Sequence, residues 1–283
     1  MLRLENAERA VYVDFEGPGN GYPVLIGAHT FEPATQKLQT RHYVFDSALK
    51  SAAENHGNCI YVEGIDSAIR LICDYVQKFD KNILAWSMHE AKTVQQHPEI
   101  TNYYKQIWND HYIDAKKIAK KSTFGAQVRL LPRDPRAGRH RLVNYTRLMG
   151  IPMVRGYGHL QVGNRIRDIK GQLERRGTYR SITPVAKRKW IALIKHNAWD
   201  IESMREVIIN SFPHNSLGSR SNTPAQSIET AIFRFLEENR FSTAREIAKN
   251  LDLPKRKINP ILYRNLDHLF RKYEYKWDNI QRD

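Results

Sequence analysis

Cysteine is nearly absent from this sequence: Cys59 and Cys73 are the only two in 283 residues, and they form no CxxC pair. Two isolated thiols fit buried cysteines in a reducing compartment better than a disulfide or a zinc site. Long apolar runs are missing too. No segment, the N-terminal MLRLENAERAVYV included, has the continuous hydrophobic stretch of a signal peptide or a membrane span. The expectation is a soluble, cytoplasmic chain with no membrane partner. Low-complexity tracts and internal repeats are lacking, and nothing indicates a homo-oligomer.

Acids are scarce in one block. Residues 115–195 hold 3 Asp+Glu against 21 Lys+Arg, a net +18, whereas residues 1–114 hold 15 against 10, a net −5. The whole chain carries +15. A basic surface facing only water is the bland reading of such a block. A field of that strength is also the electrostatic footprint of a polyanion binder, and nucleic acid is the partner it favours.

With 41% hydrophobic residues, the chain is long enough for one sizeable core and a small satellite domain. Strand patterns occur at AVYVDFEG, YPVLIGAHTF and TRHYVFD. A helix follows through GIDSAIRLICDYVQKF, with Ile65, Ala68, Ile69, Ile72 and Val76 on one face, and then a short strand at NILAWS. Neighbouring strands, a crossover helix and a further strand describe an α/β sheet. Helical patterns dominate from Ile100 to Phe212, the longest from about Pro184 to Ile209, with a Pro/Gly/Arg loop at LLPRDPRAGRHR. A Pro/Gly/Ser/Asn-rich stretch predicts a linker over 213–227, dividing a domain at 1–212 from one at 228–283.

Acids recur at three telling places. In VYVDFEG, Asp14 and Glu16 lie two apart on a strand, hence on one face, where their charges repel. Taken alone the pair is also a solvated strand end. Glu90, in AWSMHEAKTV, follows a strand end, where the helix dipole already favours an acid. In KHNAWDIESM, His196 and Asp200 are four apart on the long helix and share a face. If the fold brings these ends together, the acids have the composition of a two-metal phosphodiester site, with a histidine one turn from the last acid to take a proton.

VYVDFEG, ILAWSMHEAKTV and HNAWDIESM resemble the three motifs of the DEDD superfamily of 3′ to 5′ exonucleases, and the similarity spans about residues 10–212. The closest likeness is to a branch of predicted RNase H-like nucleases whose second motif ends in Glu and whose third has Asn three residues before Asp. The resemblance implies an RNase H-like mixed sheet with flanking helices and two Mg²⁺ or Mn²⁺ held by Asp14, Glu16, Glu90 and Asp200, with His196 as general base. Asp114, in HYIDAKK, sits where many members carry another acid near the site, so it competes with Glu90 as third ligand.

After the linker, IETAIFRFLEEN, TAREIAKNL and KRKINPILYRNLDHLF are three short helical patterns, the second opened by a Thr243/Glu246 capping box, and RKYEYKW supplies a wing strand. This stretch resembles the Zα winged helix-turn-helix domains, which bind left-handed nucleic acid. The resemblance places Lys255, Arg256, Asn259 and Tyr263 on the reading helix and Trp277 on the wing. The expected function is a metal-dependent exonuclease on single-stranded DNA or RNA, with a winged helix that recruits substrate and Tyr145, Tyr157, Tyr179 and Trp190 as stacking candidates, although core packing is the favoured use of Trp190. The alternative is a catalytically silent nucleic-acid-binding regulator on the same scaffold.

Overall fold

A computed structural model describes residues 2–18, 22–32, 37–131, 140–151 and 162–212, and in the last part of the chain 232, 235–236, 239, 242–251, 253, 255–264, 270–273 and 276–279. The chain divides into two compact units, Met1–Pro213 and His214–Asp283. The expected linker at 213–227 lies outside the described residues.

The first unit runs α1 (Leu4–Glu8), β1 (Val11–Glu16), β2 (Leu25–Glu32), β3 (Lys37–Val44), α2 (Lys50–Glu54), β4 (Cys59–Tyr61), α3 (Gly64–Phe79), β5 (Ile83–Ala85), α4 (Met88–Gln96), α5 (Asn102–His111), β6 (Tyr112–Asp114), α6 (Ala115–Lys121), α7 (Thr123–Leu130), α8 (Leu142–Leu148), α9 (Val162–Arg176) and α10 (Pro184–Asn210). Its six strands form one mixed sheet in the order β4-β3-β2-β1-β5-β6. β1, β2 and β3 are an antiparallel meander, while β4 joins β3, β5 joins β1 and β6 joins β5 in parallel. Two of these strands, β4 and β6, were not expected. Each is three residues long, too short to show alternation, and β6 starts directly where α5 ends.

Strand alternation assigns the two faces. Val11, Val13, Ile26 and Ala28 point into a cluster closed by Ile65, Ile69, Ile72 and Val76 of α3 and by Trp108 of α5. Tyr12, Leu84 and Leu25 point the other way, onto the clusters that take α9 and α10. α10 begins with Thr183 accepting from the Ala186 amide and with Pro184 at its first position, the start that the sequence led one to expect. Its first half buries Trp190, Leu193 and Ile194, and its second half Ile201, Met204, Val207 and Ile208. Each such side chain contributes about 1.5–3 kcal/mol relative to exposure, so this helix is fixed firmly on the sheet. Cys59 is half-buried and Cys73 buried, both as free thiols. Among the described residues no helix is long and apolar enough to cross a membrane.

The second unit contains β7 (Ser242–Thr243), α11 (Ala244–Asn250), α12 (Lys255–Arg264), β8 (Phe270–Tyr273) and β9 (Lys276–Asn279). The strands form an antiparallel sheet in the order β7-β9-β8. The Thr243/Glu246 capping box is present at the start of α11, with both reciprocal hydrogen bonds made. Ile232, Leu236, Ile247, Ile258 and Leu262 form its apolar cluster. Of the helical pattern expected ahead of β7, at 228–239, residues 232, 235, 236 and 239 are described.

Candidate active site

Because Val11, Val13 and Phe15 face the α3 side, the alternate residues Tyr12, Asp14 and Glu16 face α10. The partner of Asp14 across the strand pair is Gly27 of β2. A Cβ at Gly27 would stand 1.8 Å from Oδ1 of Asn197 and 2.5 Å from Cδ1 of Ile201. Position 27 has no room for a side chain, and that lets α10 lie close enough for Asn197 to reach the strand. The fully buried Asn197 donates from Nδ2 to Asp14 Oδ2 at 2.7 Å and to the Asp14 carbonyl at 3.2 Å.

Within one turn of Asn197, α10 supplies two further groups, His196 and Asp200. His196 Nε2 lies 3.4 Å from Asp200 Oδ2. Glu16, His196 and Asp200 present ligand atoms that all lie within 4.8 Å of one another. Glu90 comes from the first turn of α4, where Ser87 caps the helix by accepting from the His89 amide and donates to Glu90 Oε2 at 3.0 Å. Asp114, the competing acid, caps α6 by accepting from the Lys117 amide at 3.0 Å. It lines neither of the two cavities at the acids, whereas Glu90 lines one of them beside Asp14 and Asp200.

Gathering four carboxylates under a helix perturbs them all. Burial, and then repulsion by Glu16, Asp200 and Glu90, holds Asp14 well above the ordinary carboxylate range. Burial, and then the charge of Asp200, pushes Glu16 up to about 8, partly offset by the Asn197 amide and by Arg165 of α9. Asp200 is pushed up to about 7 by burial, and Glu90 is raised by burial against the opposing pull of the Ser87 hydroxyl. His196 moves the other way, down to about 4, through burial and the nearby Arg165 charge. Its imidazole is therefore neutral across the physiological range. Buried and half-buried acids that repel one another, with oxygen donors and one neutral imidazole, are a donor set that a hard divalent cation would satisfy.

Two cavities meet at Asp14, His196 and Asp200. One, of about 720 Å³, continues past Glu16, Phe15, Tyr22, His89, Thr93 and Gly163. The other, of about 470 Å³, continues past Glu90, Trp86, Lys116, Arg141, Arg147 and Trp199. The stacking candidates lie elsewhere. Tyr145 and Trp190 are fully buried, because each is a core side chain of its helix, and Tyr179 packs against the α9–α10 core. Tyr157 lies outside the described residues. The indoles that do line a cavity, Trp86 and Trp199, were not singled out from the sequence. Their signal was position: Trp86 is four residues before Glu90, and Trp199 immediately precedes Asp200.

In the second unit, Asn259 and Tyr263 are four apart on α12, Asn259 half-buried and Tyr263 53% exposed. Lys255 and Arg256 open the same helix and Trp277 pairs with Ser242 across β9 and β7, their side chains lying outside the described residues. Comparison with protein-family models, with curated proteins and with solved structures gives no match to this chain.

Proposed function

We propose that the chain is a metal-dependent 3′ to 5′ exonuclease on an RNase H-like sheet. The observation that carries this reading is a pair of cavities that share Asp14 of β1 and His196 and Asp200 of α10, one lined also by Glu16 of β1 and the other by Glu90 of α4. A β1-β2-β3 meander continued from β1 by parallel β5 and β6 is compatible with that fold. The polarity of cleavage comes from the motif resemblance.

Asp14, Glu16, Glu90 and Asp200 would hold two Mg²⁺ or Mn²⁺, which when bound activate water and stabilise the leaving oxygen of a phosphodiester. The chain's own part is placement and proton handling. Asn197 fixes the Asp14 carboxylate by its short amide contact, and Ser87 does the same for Glu90. The neutral His196, in reach of the cleft, accepts the proton of the attacking water. The +18 block guides the polyanion toward the cleft, and the second unit reads as a winged helix whose α12 contacts the phosphate backbone.

The test is release of mononucleotides from a 3′-labelled single strand in Mn²⁺ or Mg²⁺, against a chelator control. Asp14→Ala or Asp200→Ala should abolish release while the fold persists, and full activity in either variant refutes the assignment. Strand binding by the wild type without metal-dependent release would leave a silent nucleic-acid-binding platform.

A further inference from the structure

The cavity of about 470 Å³ has two unlike walls. One is the acid cluster: Asp14, Glu90, Asp200 and the neutral His196. The other carries Lys116 of α6, Arg141 and Arg147 at the two ends of α8, and the indoles of Trp86 and Trp199. Lys116 and Arg147 make no ion pair among the described residues. Cationic side chains that no ion pair consumes keep their N–H donors available for an incoming anion such as a phosphate.

The indole of Trp86 is set in place independently of any ligand. Its Nε1 donates to the His140 carbonyl at 3.3 Å, and its ring meets that of Tyr145 edge-on at 5.3 Å and 74°. The Tyr145 hydroxyl lies 2.6 Å from His140 Nδ1, which locks the three groups together. Trp199 projects from the long helix one residue before Asp200, so its position is tied to that of the acid. Aromatic faces with cations beside them, in a cavity of small-molecule size, are complementary to a flat base carrying a phosphate.

We propose that this cavity holds one nucleotide unit, its base against the indoles of Trp86 and Trp199 and its phosphate on Lys116, Arg141 and Arg147. The assignment deepens the exonuclease reading and rests on it for what brings the nucleotide there, whereas the binding itself requires no cleavage. Two sources present the same chemistry: a nucleoside monophosphate released by the reaction, and a nucleotide still within a strand.

The experiment titrates the full chain, in chelator, with adenosine monophosphate, adenosine, ribose 5-phosphate and a dinucleotide, read by tryptophan fluorescence and by calorimetry. The monophosphate should bind at least tenfold tighter than adenosine or ribose 5-phosphate, since it alone offers both base and phosphate. Trp199→Ala should weaken it by about tenfold to a hundredfold, the usual worth of one stacked base, and Trp199→Phe should restore most of that loss. Arg147→Gln, at an exposed position, should erase the preference for the monophosphate over adenosine. Tight monophosphate binding marks a site for released product. A dinucleotide binding much tighter than the monophosphate, with the same response to Trp199→Ala and Arg147→Gln, marks a site within the strand. Monophosphate affinity unchanged in both Trp199→Ala and Arg147→Gln overturns the proposal, as does equal binding of adenosine. If nucleotides bind as described but no metal-dependent release occurs, the cleavage reading fails and this site stands. If release occurs and the titrations are flat, the reverse holds.

Discussion

Replacing Glu16 by glutamine should make the metal-free protein more stable, and the gain should grow with pH. Glu16 is 8% exposed, and burial, then the charge of Asp200, pushes its carboxyl up from 4.5 to about 8. One pH unit of displacement corresponds to about 1.36 kcal/mol, so ionising Glu16 in the folded protein costs on the order of 4–5 kcal/mol more than in the unfolded chain. Between about 4.5 and 8 the folded state keeps a proton that the unfolded state has lost. Stability therefore falls as pH rises through that window and levels off above it. Glutamine keeps the volume and removes the titration. With half of the effect retained after relaxation, the variant should gain about 2 kcal/mol at pH 8.5, some 4–8 °C in Tm for a unit of this size. Near pH 5 the two proteins should almost coincide. The assay is thermal unfolding in chelator at pH 5 and pH 8.5, repeated in excess Mn²⁺. There the wild type should gain about 2.7 kcal/mol at a hundredfold excess over Kd and the variant less, reversing the order. A variant less stable than wild type at pH 8.5 in chelator, or a gap of the same size at both pH values, would refute the reasoning.

Gly27→Ala should cost about 1–3 kcal/mol and most of the proposed nuclease activity, because its methyl would sit 1.8 Å from Asn197 Oδ1; a melting temperature and rate equal to wild type would show that α10 does not need the close approach. Gln at both Arg175 and Arg176, exposed at the end of α9, should lower the log-log salt slope of strand binding by about 0.7 per lost phosphate contact; a constant slope measured between 50 and 200 mM salt would place the strand elsewhere. A chain ending at Pro213, the boundary of the first unit, should turn over short single strands within a few fold of the full chain and show a raised KM on long or duplex-containing ones. Substituting Lys255, Asn259 and Tyr263 together should reproduce the long-substrate defect, and loss of turnover on short strands would identify the second unit as a structural brace.

The site was legible where local pattern carries it. Alternation in VYVDFEG placed Asp14 and Glu16 on one face before any partner was known, and that face turned out to be the one under α10. The long helix expected from Pro184 to Ile209 runs to Asn210, because Thr183, Pro184 and an unbroken apolar stripe mark it. Long-range events were not legible. Nothing in a segment of three residues such as Tyr112–Asp114 distinguishes a strand from a loop until β5 lies beside it. Spacing alone leaves Glu90 and Asp114 in competition, and only the fold shows that Asp114 caps α6 while Glu90 lines a cavity beside Asp14 and Asp200. Aromatic residues in the basic block looked like stacking platforms, yet Tyr145 is consumed by the core, and the cavity indoles lie next to acids instead.

The helix that carries His196, Asn197 and Asp200 behaves as a beam clamped at both ends. Its 27 residues span about 40 Å, gripped by Trp190, Leu193 and Ile194 on one side of the site and by Ile201, Met204, Val207 and Ile208 on the other. The working residues sit at mid-span, in the gap between the two grips. Fraying from either end must release a whole apolar cluster before it reaches them, so the backbone amides around Asn197 should be among the last in the chain to exchange with solvent. A site built this way takes its precision from two separate cores acting on one rigid element, and a chain in which either grip was loosened would lose the alignment of the acids while keeping every one of the acids themselves.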